Sequence, residues 1–99
     1  VQPDLIAVLL GHDAKAAGLP LMEKIRTAFP DYLVTTVLGE AGMKSQMKKA
    51  DQSGARFAMI IGENELANNI AIVKDLRDSG EQKEVALTEL LDWLHTIKK

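Results

Sequence analysis

A chain of 99 residues with 46% hydrophobic and 26% charged side chains fits one globular domain with room for a single modest core. Twelve Lys and Arg against 14 Asp and Glu leave a net charge of −2, which argues against gripping duplex nucleic acid through its phosphates, as basic surfaces do. The absence of cysteine excludes disulfides and thiolate zinc sites and makes the cytosol the default compartment, and no apolar run approaches the ~20 residues of a membrane span.

The N-terminus lacks a basic-then-apolar signal pattern. It starts Val1-Gln2-Pro3 without Met, as expected of a piece excised from a larger protein. Residues 5–10 form a continuous apolar run ended by Gly11, the pattern of a strand buried on both faces. Residues 16–29 place Leu21, Ile25 and Ala28 at helical spacing. Pro20 fits the first turn of such a helix, which predicts a start close to Gly18 or a kink there. Pro30-Asp31 stops it, and the β-branched stretch 32–38 reads as a second strand ending at Gly39. A short helix lined by Met43, Met47 and Ala50 closes at Gly54, and residues 56–61 read as a third strand.

This βαβαβ order implies parallel strands with right-handed crossovers. The segment from Gly62 to Ile70 has room for one turn of helix but not for a full crossover, so strand 70–75 should return antiparallel. Asp78-Ser79-Gly80 makes a tight turn into a strand at 82–85, and Thr88 is the expected cap of a last helix bearing Leu90, Leu91, Leu94 and Ile97. The expected domain, residues 1–99, is an α/β mixed five-stranded sheet of order 2-1-3-4-5, strand 4 antiparallel, with three helices.

Gly11, Gly39 and Gly62 each follow an apolar strand. On one sheet edge they would form a rim, although any single glycine there can merely end a strand. Gly39-Glu40-Ala41-Gly42 leads into a helix whose first amides can receive an anion, but it has neither the spacing nor the Lys-Ser/Thr of a phosphate loop. Lys44 and Lys48 share a helix face, either a solvated surface or phosphate contacts. Glu63-Asn64-Glu65 and Lys74-Asp75 are expected on one rim, with Glu65 as acceptor and Lys74 as donor for base edges, or as a surface salt bridge. His12 and His95 lack zinc-ligand spacing. The residues supply no nucleophile–base arrangement, so no catalysis is expected of this segment.

The stretch GARFAMIIGENELANNIAIVKDLRDSGEQ resembles the C-terminal anticodon-binding domain of class IIa aminoacyl-tRNA synthetases, most closely the histidyl type. KDLRDSGEQ distinguishes it from the threonyl, prolyl and glycyl relatives that share the fold. The resemblance covers nearly the whole chain. It implies a tRNA anticodon-recognition domain with Gly39, Glu40, Lys44, Glu65 and Lys74 as anticodon-binding candidates, through edge hydrogen bonds to unstacked bases. It further implies a homodimeric cytoplasmic parent that joins histidine to tRNA with ATP and Mg²⁺ held by a separate catalytic domain. No cofactor, metal or membrane partner is implied for the segment itself. Asn69 stands where the family often has glycine. The alternative is a synthetase-derived structural or interaction domain without tRNA binding.

Overall fold

The computed structural model describes residues 2–37 and 42–97. The elements run β1 (Leu5–Leu9), α1 (His12–Ala28), β2 (Val34–Thr36), α2 (Met43–Gln52), β3 (Phe57–Ile61), α3 (Glu63–Ala67), β4 (Ile70–Asp75), β5 (Gln82–Ala86) and α4 (Leu90–Ile97). A single 3₁₀ turn at Leu87–Glu89 enters α4. The strands form one sheet in the order β2-β1-β3-β4-β5. β1 pairs in parallel with β2 and β3, whereas β4 is antiparallel to both β3 and β5, as the short Gly62–Ile70 connection requires.

Alternation along the strands divides the core in two. Leu5, Ala7, Leu9, Phe57, Met59, Ile61, Ala71 and Val73 face α1 and α4, while Ile6, Val8, Ala58 and Ile60 meet Ala50 and Met47 of α2. β1 and β3 are buried on both faces, which is why they read as unbroken apolar runs. Each fully buried Leu, Ile or Met contributes about 1.5–3 kcal/mol of transfer free energy. Near one end of the sheet, Trp93 meets Phe57 edge-on at 5.4 Å, a favoured geometry for aromatic pairs.

Three local expectations need correction. α1 starts at His12 rather than near Gly18, with Asp13 in its first turn and Pro20 inside it. The missing proline N–H forfeits one helical bond, but burial of Ala14, Gly18, Met22 and Ile25 on one stripe holds both halves against the sheet. β2 is only Val34–Thr36, because Tyr32 is drawn into a turn whose amide donates to the Phe29 carbonyl at 3.0 Å. Thr88 lies inside the 3₁₀ turn and is not the cap of α4. The turn of helix for which the Gly62–Ile70 segment has room is the five-residue α3, which joins the three longer helices α1, α2 and α4.

Candidate nucleic-acid interface

The antiparallel return of β4 decides the geometry of the site. β3 ends at Ile61, and Gly62 with α3 follows at the carboxyl edge of the parallel strands. There the Leu10 amide donates to the Ile61 carbonyl at 2.9 Å, and a Cβ on Gly11 would lie 3.7 Å from the Glu63 side chain. Gly11 and Gly62 therefore do share one rim. Gly39 and Glu40 lie outside the described residues.

Lys74 does not join that rim. It sits opposite Ala58, near the start of β3, with Asp75 opposite Phe57. Glu65 and Lys74 thus stand toward opposite ends of the sheet, and the expected pairing of acceptor and donor does not occur. Sequence proximity suggested otherwise because a strand that reverses direction carries its far end to the opposite edge. Glu65 has a local partner, its Oε1 accepting from the Gly62 amide at 2.8 Å. That is half of a capping box, with glycine in place of the usual hydroxyl residue. Asn69, at φ 54°, turns the chain from α3 into β4, a conformation asparagine tolerates better than most residues.

The structure does bring Lys44 and Lys74 together. With Lys48, they border a groove of about 510 Å³ between α2 and the end of β4, floored by Met47 and Leu76 and containing the Asp51 and Asp75 carboxylates. Lys44 and Lys48 present themselves there because α2 packs Ala50 against the sheet, turning residues one helical turn apart along the same flank. α2 lies over β1. Beyond it, the same face of β4 and β5 continues uncovered, with Ile72 half-buried and Gln82 and Glu84 exposed.

Two members of the KDLRDSGEQ segment prove to be structural. The Asp75 carboxylate accepts from the amides of Arg77 at 3.0 Å, Asp78 at 2.9 Å and Ser79 at 3.4 Å, and from the Ser79 hydroxyl at 3.4 Å. These bonds, led by that from Asp78, hold its carboxyl below the usual range against an opposing desolvation. Arg77 donates through Nε to the Gly54 carbonyl at 3.0 Å and through Nη2 to Gln2 Oε1 at 2.6 Å. The pair fixes the turn that follows β4, and with it the position of Lys74. Their spacing offered no such signal, since the partner carbonyl of Gly54 is remote in sequence.

His12 meets Asp13 at 3.5 Å, and His95 lies against the Phe29 ring at 4.6 Å. Among the described residues no three His, Asp or Glu side chains converge as a metal cage, and no helix is long and apolar enough to cross a membrane.

An α/β sheet covered on one face, half-covered on the other and lined there by lysines around an apolar floor defines a binding module. Residues 8–97 match the model of the anticodon binding domain, and the chain belongs to that family. It is 43% identical over 94 residues to a histidine–tRNA ligase of Methylobacillus flagellatus, covering 95% of this chain and 22% of that protein. A second histidine–tRNA ligase, of Laribacter hongkongensis, is 46% identical over 88 residues, or 89% of this chain and 18% of that protein. The crystal structure of histidyl-tRNA synthetase from Nostoc superposes with a TM-score of 0.83 at 30% identity, covering 97% of this chain and 22% of that one. The chain therefore spans about a fifth of the length of these relatives.

Proposed function

We propose that this chain is the tRNA anticodon-recognition domain of a histidine–tRNA ligase and binds an unstacked anticodon loop on the open face beside α2. The observation that carries this reading is the convergence of Lys44, Lys48 and Lys74 on one groove floored by Met47 and Leu76. Lysines along a groove track a backbone, and an apolar floor accepts the faces of splayed bases. Lys44 and Lys48 meet phosphates, and Lys74, rooted in the sheet, meets a base edge or the nearest phosphate. Glu65 contributes by holding the turn at the far edge, and the family resemblance keeps Gly39 and Glu40 as further anticodon-binding candidates. The net charge of −2 restricts the domain to a local contact with a loop. The parent is a homodimeric cytoplasmic enzyme whose separate catalytic domain joins histidine to tRNA with ATP and Mg²⁺.

Fluorescence anisotropy with an RNA hairpin carrying a GUG loop tests this reading. Lys44→Ala and Lys74→Ala should each weaken binding severalfold, and removing a lysine that neutralises a phosphate should lower the slope of log affinity against log salt by about 0.7–1. Unchanged affinity and salt slope in the double variant would leave a structural or interaction domain as the better account.

A further inference from the structure

The lysine groove leaves part of the open face unused. Strand pairing sets Glu84 directly beside Ile72 and Gln82 beside Lys74. Val85 is buried on the opposite face with Ala71 and Val73, so alternation turns Gln82 and Glu84 outward on the same side as Ile72 and Lys74. Direct cross-strand neighbours lie about 5 Å apart at Cβ. An apolar side chain, a carboxylate, an amide and an ammonium thus fall within reach of one planar ring. Glu84 and Gln82 are exposed, and among the described residues Glu84 and Lys74 have no ion-pair partner. Glu84 adds to the Asp51 and Asp75 carboxylates of the groove one that lies out on the open sheet face, where against an RNA backbone alone it would only repel.

We propose that Ile72, Lys74, Gln82 and Glu84 seat one unstacked guanine, with Glu84 as the residue that selects it. The inference rests on the RNA-binding reading of this face and assigns its base preference. A guanine presents two donors side by side, N1–H and the N2 amino group, and a carboxylate accepts both. Adenine puts the acceptor N1 beside its amino group, cytosine puts the acceptor N3 there, and uracil flanks its single N3–H with two carbonyls. Each of these meets the Glu84 oxygens with at least one lone pair. Ile72 supports the ring face, Lys74 offers a donor toward O6 or a flanking phosphate, and Gln82 adapts as donor or acceptor. The carboxylate costs affinity for RNA in general and returns it for one base, the usual structure of discrimination.

The experiment uses the 99-residue chain at low salt with hairpins whose GUG loop has each guanine replaced in turn by adenine or by inosine, which lacks the N2 amino group. Glu84→Ala and Glu84→Gln should fold as the parent does and bind the GUG loop about tenfold more weakly. That loss should vanish on the hairpin lacking one particular guanine, and inosine there should cost the parent chain most of the same factor. If both variants bind every hairpin as the parent does while Lys74→Ala weakens them all, the guanine assignment is overturned and the RNA reading stands. If neither Glu84 nor Lys44 and Lys74 variants change binding to any hairpin, both are overturned.

Discussion

Removal of one oxygen atom, in Tyr32→Phe, should stabilise this domain. The Tyr32 ring packs against Phe29 with centroids 6.2 Å apart, but its hydroxyl is sealed from solvent with no hydrogen-bond partner among the described residues. A buried polar group left unsatisfied costs about 1–3 kcal/mol. Phenylalanine keeps the ring and abolishes that cost, so a gain of about 1 kcal/mol is expected at neutral pH, or roughly 4–8 °C in Tm for a domain of this size. A second signature lies at high pH. Burial, aided by the Asp4 carboxylate, pushes the Tyr32 phenol up from 10.0 to about 12, against a smaller pull from Arg56. A raised folded-state value means the tyrosine's contribution is whole below pH 10 and is lost as pH rises toward 12, while the unfolded chain ionises first. Phenylalanine has no such loss, so its advantage should widen across that window. The widening should be about 1 kcal/mol, well short of the ~2.7 of a fully buried group, because water screens a half-exposed ring. Urea melts of both proteins at neutral pH and at intervals to pH 11.5, compared as differences so that lysine titration cancels, measure both effects. A Tyr32→Phe variant less stable than the parent at neutral pH, with a constant difference at alkaline pH, would refute the argument.

Two further substitutions probe the packing and the edge turn. Gly18→Ala should gain helix propensity of about 1 kcal/mol yet destabilise on balance, because its Cβ would lie 2.6 Å and 2.8 Å from the Leu9 methyls and overpacking costs about 1–3 kcal/mol; thermal melts should show the loss shrinking when Leu9→Ala is added, and a stabilised single variant would sink the idea. Glu65→Ala should lower stability by about 0.5–2 kcal/mol through loss of the bond to the Gly62 amide, with hairpin binding reduced no more than partial unfolding explains, so an unchanged melt with selectively lost binding would return Glu65 to direct contact with RNA.

The sheet order was legible because the relevant signals are local. Apolar runs at 5–10 and 56–61 mark strands buried on both faces, and the segment between Gly62 and Ile70 is too short for a parallel crossover. The start of α1 was not legible, since burial of Gly18 against Leu9 outweighs the local rule that proline belongs in a first turn. The site was half legible. Lys44 and Lys48 declare their shared flank through helical spacing, whereas Lys74 required a register that only tertiary pairing supplies. Gln82 stands out in the sequence only as the end of KDLRDSGEQ, and Glu84 not at all, because alternation in a short exposed strand is weak until Val85 is known to be buried.

The reversal at α3 also bears on how the chain finds its structure. Ile60 meets Ile72 across a single helical segment, and Lys74 meets Gln82 across a tight turn, but Leu5 meets Phe57 only after more than half the chain has been laid down. Closing a short loop costs less entropy than closing a long one, and topologies rich in near-neighbour pairings form faster. The three-strand meander from β3 to β5 is therefore the least costly part of the sheet to nucleate, and β1 and β2 add to an edge already in place. The open face that holds Lys74 and Glu84 belongs to that early-forming half.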